Sequence, residues 1–350
     1  MNKGMNISDF VDEVKRREIK KVDYLASSNA VFMDSEGKNL IFRNLGQERF
    51  GINDLPHQQI ASHYGIPMNY YRKMQNDRPE LLSINVNRWA EKKDEKRFIR
   101  TLDGKVRAFL SDRFKPYDNM SVMTALESIL PEIGDSLSVK SSNLSDNKLY
   151  IQIVNQRLEA EVAKGDVVQA GIVISNSEVG LGRFIIEKMI YRLVCLNGAI
   201  SGQLIGKTHL GKRITGEDGI AWKPDTLEMD MKSFNLQIRD VIHDALSQET
   251  FNNLLLTART AKDSVIPATS VEPLIEEVTK RYQFEDDSRG GILASMIDGG
   301  DLSRWGLVNA VTAQAHNIED YDCSVDYQRA GGELLTMPTD KWDTLIKGVQ

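Results

Sequence analysis

The chain has 350 residues, 41% of them hydrophobic, and a formal net charge of −6. That length suits more than one domain of roughly 100–200 residues, and the apolar fraction is too high for a disordered or fibrous chain. The start, Met1 to Ser8, lacks the apolar run of a signal peptide, and no window approaches the roughly 18 apolar residues of a membrane span. A cytoplasmic protein without membrane contact is expected.

The opening stretch Ile7 to Lys21 places Phe10, Val11, Val14 and Ile19 among charges, which predicts a short amphipathic helix bearing the basic run Lys15-Arg16-Arg17 and Lys20-Lys21. Asn29 to Arg43 reads as a hairpin turning at Asp34-Ser-Glu-Gly37. Residues 54–76 form a helical unit broken at Gly65-Ile66-Pro67. His57 and His63 within it are six apart, not on one helical face, so they are expected at the surface or in the core rather than on a metal.

From Arg100 the pattern changes. Lys105 to Leu110 is a strand, and Ser121 to Leu130 a helix with Val122, Ala125, Leu126 and Ile129 on one side. Leu137 to Val139, Leu149 to Val154, Val167 to Ile174 and Phe184 to Val194 read as successive strands of an antiparallel sheet. Beyond Trp222-Lys-Pro224 the chain becomes helical through Leu227–Leu246 and Thr250–Lys262. The 302/305/308/311 spacing after Asp298-Gly-Gly300 marks a buried helical face. The expected fold is therefore α+β: a hairpin and helical region over 1–99, an antiparallel sheet plus helix core over 100–222, and an acidic helical domain over 223–350.

Charge follows the same division. Residues 1–215 hold 32 Lys and Arg against 26 Asp and Glu, a net of +6, and residues 216–350 hold 12 against 24, a net of −12. A local positive field can persist in such an acidic protein because charges beyond about 10 Å are screened. Solubility alone is the bland alternative.

No catalytic motif is complete. Gly202-Gln-Leu-Ile-Gly206-Lys207-Thr208 looks like a phosphate loop but has Ser201 where the first glycine belongs, and Gly180-Leu-Gly182 lacks the third glycine of a dinucleotide fingerprint. Glu285-Asp-Asp287 and Glu319-Asp-Tyr-Asp322 are acidic enough for a metal-dependent nuclease, but the first lacks EF-hand spacing and both sit in the acidic region, where such clusters arise by chance. Cys195 and Cys323 have no CxxC partner and read as buried small side chains. No cofactor is expected.

Cations and aromatics do interleave through the β region: Arg113, Lys115 and Tyr117 with Phe114, then Arg183, Lys188 and Arg192 around Tyr191, then Lys207, His209, Lys212 and Arg213. Cations neutralise phosphates while ring faces stack on unpaired bases. These positions are the candidate single-stranded DNA site, with the reservation that Phe184, Ile186 and Ile190 share the strand parity of Lys188 and Arg192.

The strings Phe109-Leu-Ser-Asp-Arg113-Phe-Lys-Pro116-Tyr-Asp118-Asn, Gly180-Leu-Gly-Arg-Phe, Tyr191-Arg-Leu-Val-Cys195-Leu-Asn197-Gly198 and Arg304-Trp-Gly-Leu-Val-Asn309-Ala-Val-Thr312 resemble the phage- and plasmid-encoded family called domain of unknown function 932. The resemblance runs from about residue 100 to 330 and implies a bacterial cytoplasm. The strand and helix order is more loosely similar to ring-forming single-strand annealing proteins, which implies a homo-oligomer and a groove for unpaired DNA. The expected function is single-stranded DNA binding or annealing in phage recombination or replication. The alternatives are a non-enzymatic factor engaging a host protein through the acidic C-terminal region, and a metal-dependent nuclease using Asp286 and Asp287.

Overall fold

The computed structural model describes residues 4–43, 46–93, 95–134, 136–207 and 224–349. Helix α1 (Ile7–Lys20) starts at Asn6, whose side chain accepts the Ser8 N–H, and buries Phe10 and Val14. It runs directly into β1 (Lys21–Ser27). The expected hairpin is present as β2 (Val31–Met33) and β3 (Asn39–Phe42), with Gly37 at φ +67° in its turn, and β4 (Glu48–Ile52) follows. The helical unit is α2 (Asp54–Tyr64) and α3 (Met68–Asp77), separated at Gly65, which caps α2 in the left-handed conformation. Helix α4 (Pro79–Lys92) completes this layer.

Strands β5 (Lys96–Leu102) and β6 (Lys105–Ser111) join the N-terminal sheet, whose order is β1-β5-β6-β4-β3-β2. All its pairings are antiparallel except β4 with β6. The strand expected to open the second unit at Lys105 thus closes the first, because β5 and β4 flank it on either side. One face of this sheet buries Met33, Leu40, Phe42, Phe50 and Ile99 against Ile60, Tyr71, Leu82 and Val86 of α2, α3 and α4.

Helix α5 (Asn119–Ile133), with Val122, Ala125, Leu126 and Ile129 buried as its spacing predicts, leads to a five-stranded antiparallel meander. Its strands are β7 (Leu137–Leu144), β8 (Leu149–Ala163), β9 (Asp166–Asn176), β10 (Phe184–Arg192) and β11 (Asn197–Lys207). The last holds Gly202 to Lys207 of the string that looks like a phosphate loop, Thr208 lying outside the described residues, and Gly202, at φ +68°, sits where the β10–β11 register shifts.

The C-terminal region is helical: α6 (Pro224–Ala245), α7 (Gln248–Asp263), α8 (Val271–Tyr282), α9 (Asp286–Gly299), α10 (Arg304–Gln314), α11 (Tyr321–Thr336) and α12 (Thr339–Gly348). It does not stand apart from the meander. Leu149, Ile151, Ile153 and Ile172 share one core with Ile238, Phe251, Trp305 and Val308, while Tyr150, Val154, Val173 and Met189 on the opposite sheet face meet Val325 of α11. Cover on both faces explains why β8 and β9 read as continuous apolar runs rather than as alternating ones. Among the described residues no helix is long and apolar enough to cross a membrane.

Candidate nucleic-acid interface

Two surface segments, 112–118 and 177–183, are held against the N-terminal sheet by a buried charge network. Arg100 on β5 is fully buried. Its Nε and Nη2 donate to the two carboxylate oxygens of Asp23 at 2.9 Å each, and its Nη1 donates to Asp118 Oδ1 at 2.8 Å and to the Glu178 carbonyl at 3.1 Å. Lys21 also donates to Asp118. Burial alone would raise the Asp118 carboxyl, but the charge and hydrogen bonds of Arg100 and Lys21 outweigh it and hold the group well below the usual carboxylate range.

A second buried pair lies alongside. Arg107 Nη2 donates to Glu178 Oε2 at 2.7 Å, and the other Glu178 oxygen accepts the Asn119 N–H at the start of α5, also at 2.7 Å. A carboxylate there satisfies an orphan donor and complements the helix dipole. Asn176 donates to the Tyr117 carbonyl and to Asn119 Oδ1. Both segments are therefore fixed by groups whose loss would leave a buried charge without its partner.

What they present outward is basic. Arg113 and Lys115 are exposed on the first segment, and Arg183 is exposed at the end of the second. Arg183 donates to Gln203 of β11, and the next residue, Phe184, pairs in register with Lys207. Lys207 and Lys115 both stand at the carboxylate of Asp230 on α6, at 3.6 and 3.2 Å. The Lys207 ammonium lies 4.0 Å from the centre of the Phe234 ring. Burial lowers its pKa, with Asp230 opposing and Lys115 adding to the shift.

The aromatic half of the expected pattern is not on this surface. Phe114, Tyr117 and Tyr191 are buried. Tyr117 packs edge-on against Phe184 and Phe234 with ring centres 5.2 Å apart in each case, and Tyr191 lies under α11 with Met189 and Val325. Burying a ring is worth more to the core than exposing it, and sequence spacing alone cannot distinguish the two uses.

The remaining basic positions separate. Lys188 is half-buried in mid-β10, and Arg192 lies at the far end of that strand from Phe184, roughly 26 Å away at strand rise. Arg192 donates to Asp166, whose other oxygen accepts the Trp305 indole N–H at 2.8 Å. Lys212, Arg213 and His209 lie outside the described residues. Part of the N-terminal basic run is engaged within the protein: Arg16 binds Glu13 and Asp103, and Arg17 binds Glu13 and the Ser145 carbonyl, while Lys15 and Lys20 are exposed.

His57 Nδ1 lies 2.9 Å from the Tyr71 hydroxyl, inside the N-terminal core. The cysteines depart from expectation: both are exposed, Cys195 in the β10–β11 turn with Arg192 donating to its sulfur and Cys323 in the first turn of α11. Each lies at the start or end of an element, where the apolar period no longer dictates burial. Among the described residues no three His, Cys, Asp or Glu side chains come together to hold a metal ion.

Arg100, Glu178 and Asp230 are the site's supports that sequence reading misses. Each lies far along the chain from its partners, and no local pattern marks it.

These features define an α+β protein in which an internal ion-pair network presents a small basic ridge. The chain belongs to the family described as Domain of unknown function (DUF932), which matches residues 107–333 and so begins within β6, at the residue that pairs with Glu178. No curated protein and no solved structure matches the chain.

Proposed function

We propose that the protein binds single-stranded DNA without acting on it chemically, in phage recombination or replication, as a homo-oligomer in the bacterial cytoplasm. The observation that carries this reading is the gathering of Arg113, Lys115, Arg183 and Lys207, drawn from three separate stretches of chain, at one end of the meander. Lys212 and Arg213 follow directly in sequence. Phosphate contact by such a ridge is electrostatic and falls steeply with salt. With Tyr117 buried, any preference for unpaired strands comes from contacts other than stacking on that ring.

The test is fluorescence anisotropy with labelled single-stranded and duplex DNA at low and moderate salt, with and without magnesium. Salt-sensitive, single-strand-preferring binding without cleavage is the expected result. No binding at low salt removes the reading. Magnesium-dependent degradation would replace it with the nuclease reading.

A second reading, a factor that engages a host protein, draws on the acidic C-terminal region. A groove of about 490 Å³ between α8 and α12 is lined by Leu345 and Val349 together with Glu277, Arg281, Asp340 and Lys341. A stable protein partner in pull-downs, together with indifference to DNA at any salt, would favour it.

A further inference from the structure

Over β2, β3 and β4 the N-terminal sheet has a second face that no buried cluster of the described residues covers, whereas over β5 the same face is closed by Phe114 and the Arg100 network. Its inner face carries Met33, Leu40, Phe42 and Phe50 into the apolar core. The alternation of a strand sends Phe32, Ile41 and Arg49 the other way, and Arg43, just past the end of β3, lies over Phe32. Register places them side by side: Phe32 opposite Ile41, and Ile41 opposite Arg49. The row continues onto β6, because Gly51 pairs with Lys105, and a Cβ on Gly51 would sit 3.5 Å from Lys105 Cγ and 4.0 Å from Asn39 Oδ1. Three strand gaps, β2 to β3 to β4 to β6, make the face roughly 14 Å wide.

Phe32 and Ile41 are half-buried and belong to none of the buried clusters. Arg43, Arg49 and Lys105 are exposed. The Arg43 guanidinium carbon lies 3.4 Å from the centre of the Phe32 ring, so the planar cation is stacked on the aromatic. The charge of Arg49 is felt at Asp34, which is itself held in the β2–β3 turn by the Lys38 and Asn39 N–H groups.

We infer that this face is a second binding platform for a single nucleic-acid strand, separate from the ridge of Lys115 and Lys207. Its occupant is identified by two features together. Three cations on a flat surface suit a phosphate backbone, and a guanidinium plane stacked on a phenyl ring offers what an unpaired base stacks upon, which a duplex with its bases enclosed cannot use. An acidic protein surface would use the cations but not the stack. The inference rests on the proposed single-strand reading and extends it to a part of the chain that lies before residue 107, where the family match begins.

The test compares two triple variants with the parent protein by anisotropy on a short and a long single-stranded oligonucleotide: Arg43→Ala/Arg49→Ala/Lys105→Ala on the face, and Lys115→Ala/Arg183→Ala/Lys207→Ala on the ridge. The expected result is that the face variant weakens binding of the long strand about tenfold and lowers its salt dependence, while its melting temperature matches the parent's. Ultraviolet crosslinking of a halogenated-uracil oligonucleotide to the parent protein, expected within the peptide that contains Phe32 and Arg43, keeps the inference testable should the triple variant fail to fold.

Parent-like DNA binding by the face variant, with binding lost in the ridge variant, overturns this inference and leaves the ridge reading standing. A parent protein that binds no nucleic acid overturns both. A face variant that loses self-association while binding DNA normally assigns the face to a second copy of the chain and overturns the inference as well.

Discussion

Lys115 and Lys207 reach the same carboxylate, Asp230, from the loop after β6 and from the end of β11. An acid inside a basic ridge opposes phosphate binding, so its removal is informative. Asp230→Asn is expected to raise single-strand affinity about fivefold at low salt, the equivalent of about 1 kcal/mol for unit charges 4 Å apart in water, and the gain should fade as salt rises. Anisotropy titrations at several ionic strengths check it. A drop in affinity would mean that Asp230 positions the lysines rather than competing with a ligand.

The two lysines should also set the steepness of the salt dependence. Each phosphate neutralised on a single strand contributes about 0.7 to the slope of log K against log salt. Lys115→Ala/Lys207→Ala is therefore expected to flatten that slope by about 1.4. A slope equal to the parent's would remove these lysines from the interface.

Arg192 is expected to behave differently from the ridge residues. It donates to Asp166 beside the Trp305 indole, where α10 meets β9 and β10. Arg192→Ala should lower stability by roughly 1–3 kcal/mol in urea titrations, through the unmet acceptor on Asp166, and leave DNA affinity at the parent's value. Weakened DNA binding at unchanged stability would restore Arg192 to the interface.

The elements were legible in the sequence wherever one periodicity dominated. The hairpin around Gly37, the break at Gly65 and the buried face of α5 all follow from turn chemistry or 3.6-residue spacing. What was not legible is long-range. Nothing near Lys105 says that its strand pairs with Gly51 and Ile52 in one direction and with β5 in the other. Tyr117 sits among cations in sequence yet points into the core, because the loop that carries it is tied down by Asn176 and by Asp118. Local composition records which residues are near in the chain, whereas the network of Arg100, Asp118 and Glu178 depends on which are near in space.

Two histidines should make stability sensitive to mild acid. Burial, reinforced by Arg72 at His57 and by Arg97 and Lys93 at His63, pushes both imidazoles down to about 4. The unfolded chain takes up these protons near pH 6.5, whereas the folded chain resists them until about 4, so stability is full above 6.5 and is lost as pH falls through that window. The unfolding free energy from urea titrations is expected to fall between pH 7 and pH 5 by up to roughly 2 kcal/mol per histidine. His63→Asn should flatten the profile by its share, and an unchanged profile would place that imidazole in contact with solvent.

The buried network should titrate in a lower window. Asp118 is held below its ordinary value by Arg100 and Lys21, so its contribution is present above about pH 4, the unfolded carboxylate pKa, and is lost as pH falls through the folded value. At neutral pH, Asp118→Asn removes one partner of a fully buried guanidinium and is expected to cost roughly 3–5 kcal/mol, as is Arg100→Met, which leaves Asp23 and Asp118 facing each other. Because both substitutions break the same pair, the double variant should lose less than the two single losses combined. The network also fixes the 112–118 segment, so Asp118→Asn should slow association with single-stranded DNA even under conditions where the protein remains folded. If the losses add and association is unchanged, the pair stabilises the sheet junction without organising the ridge.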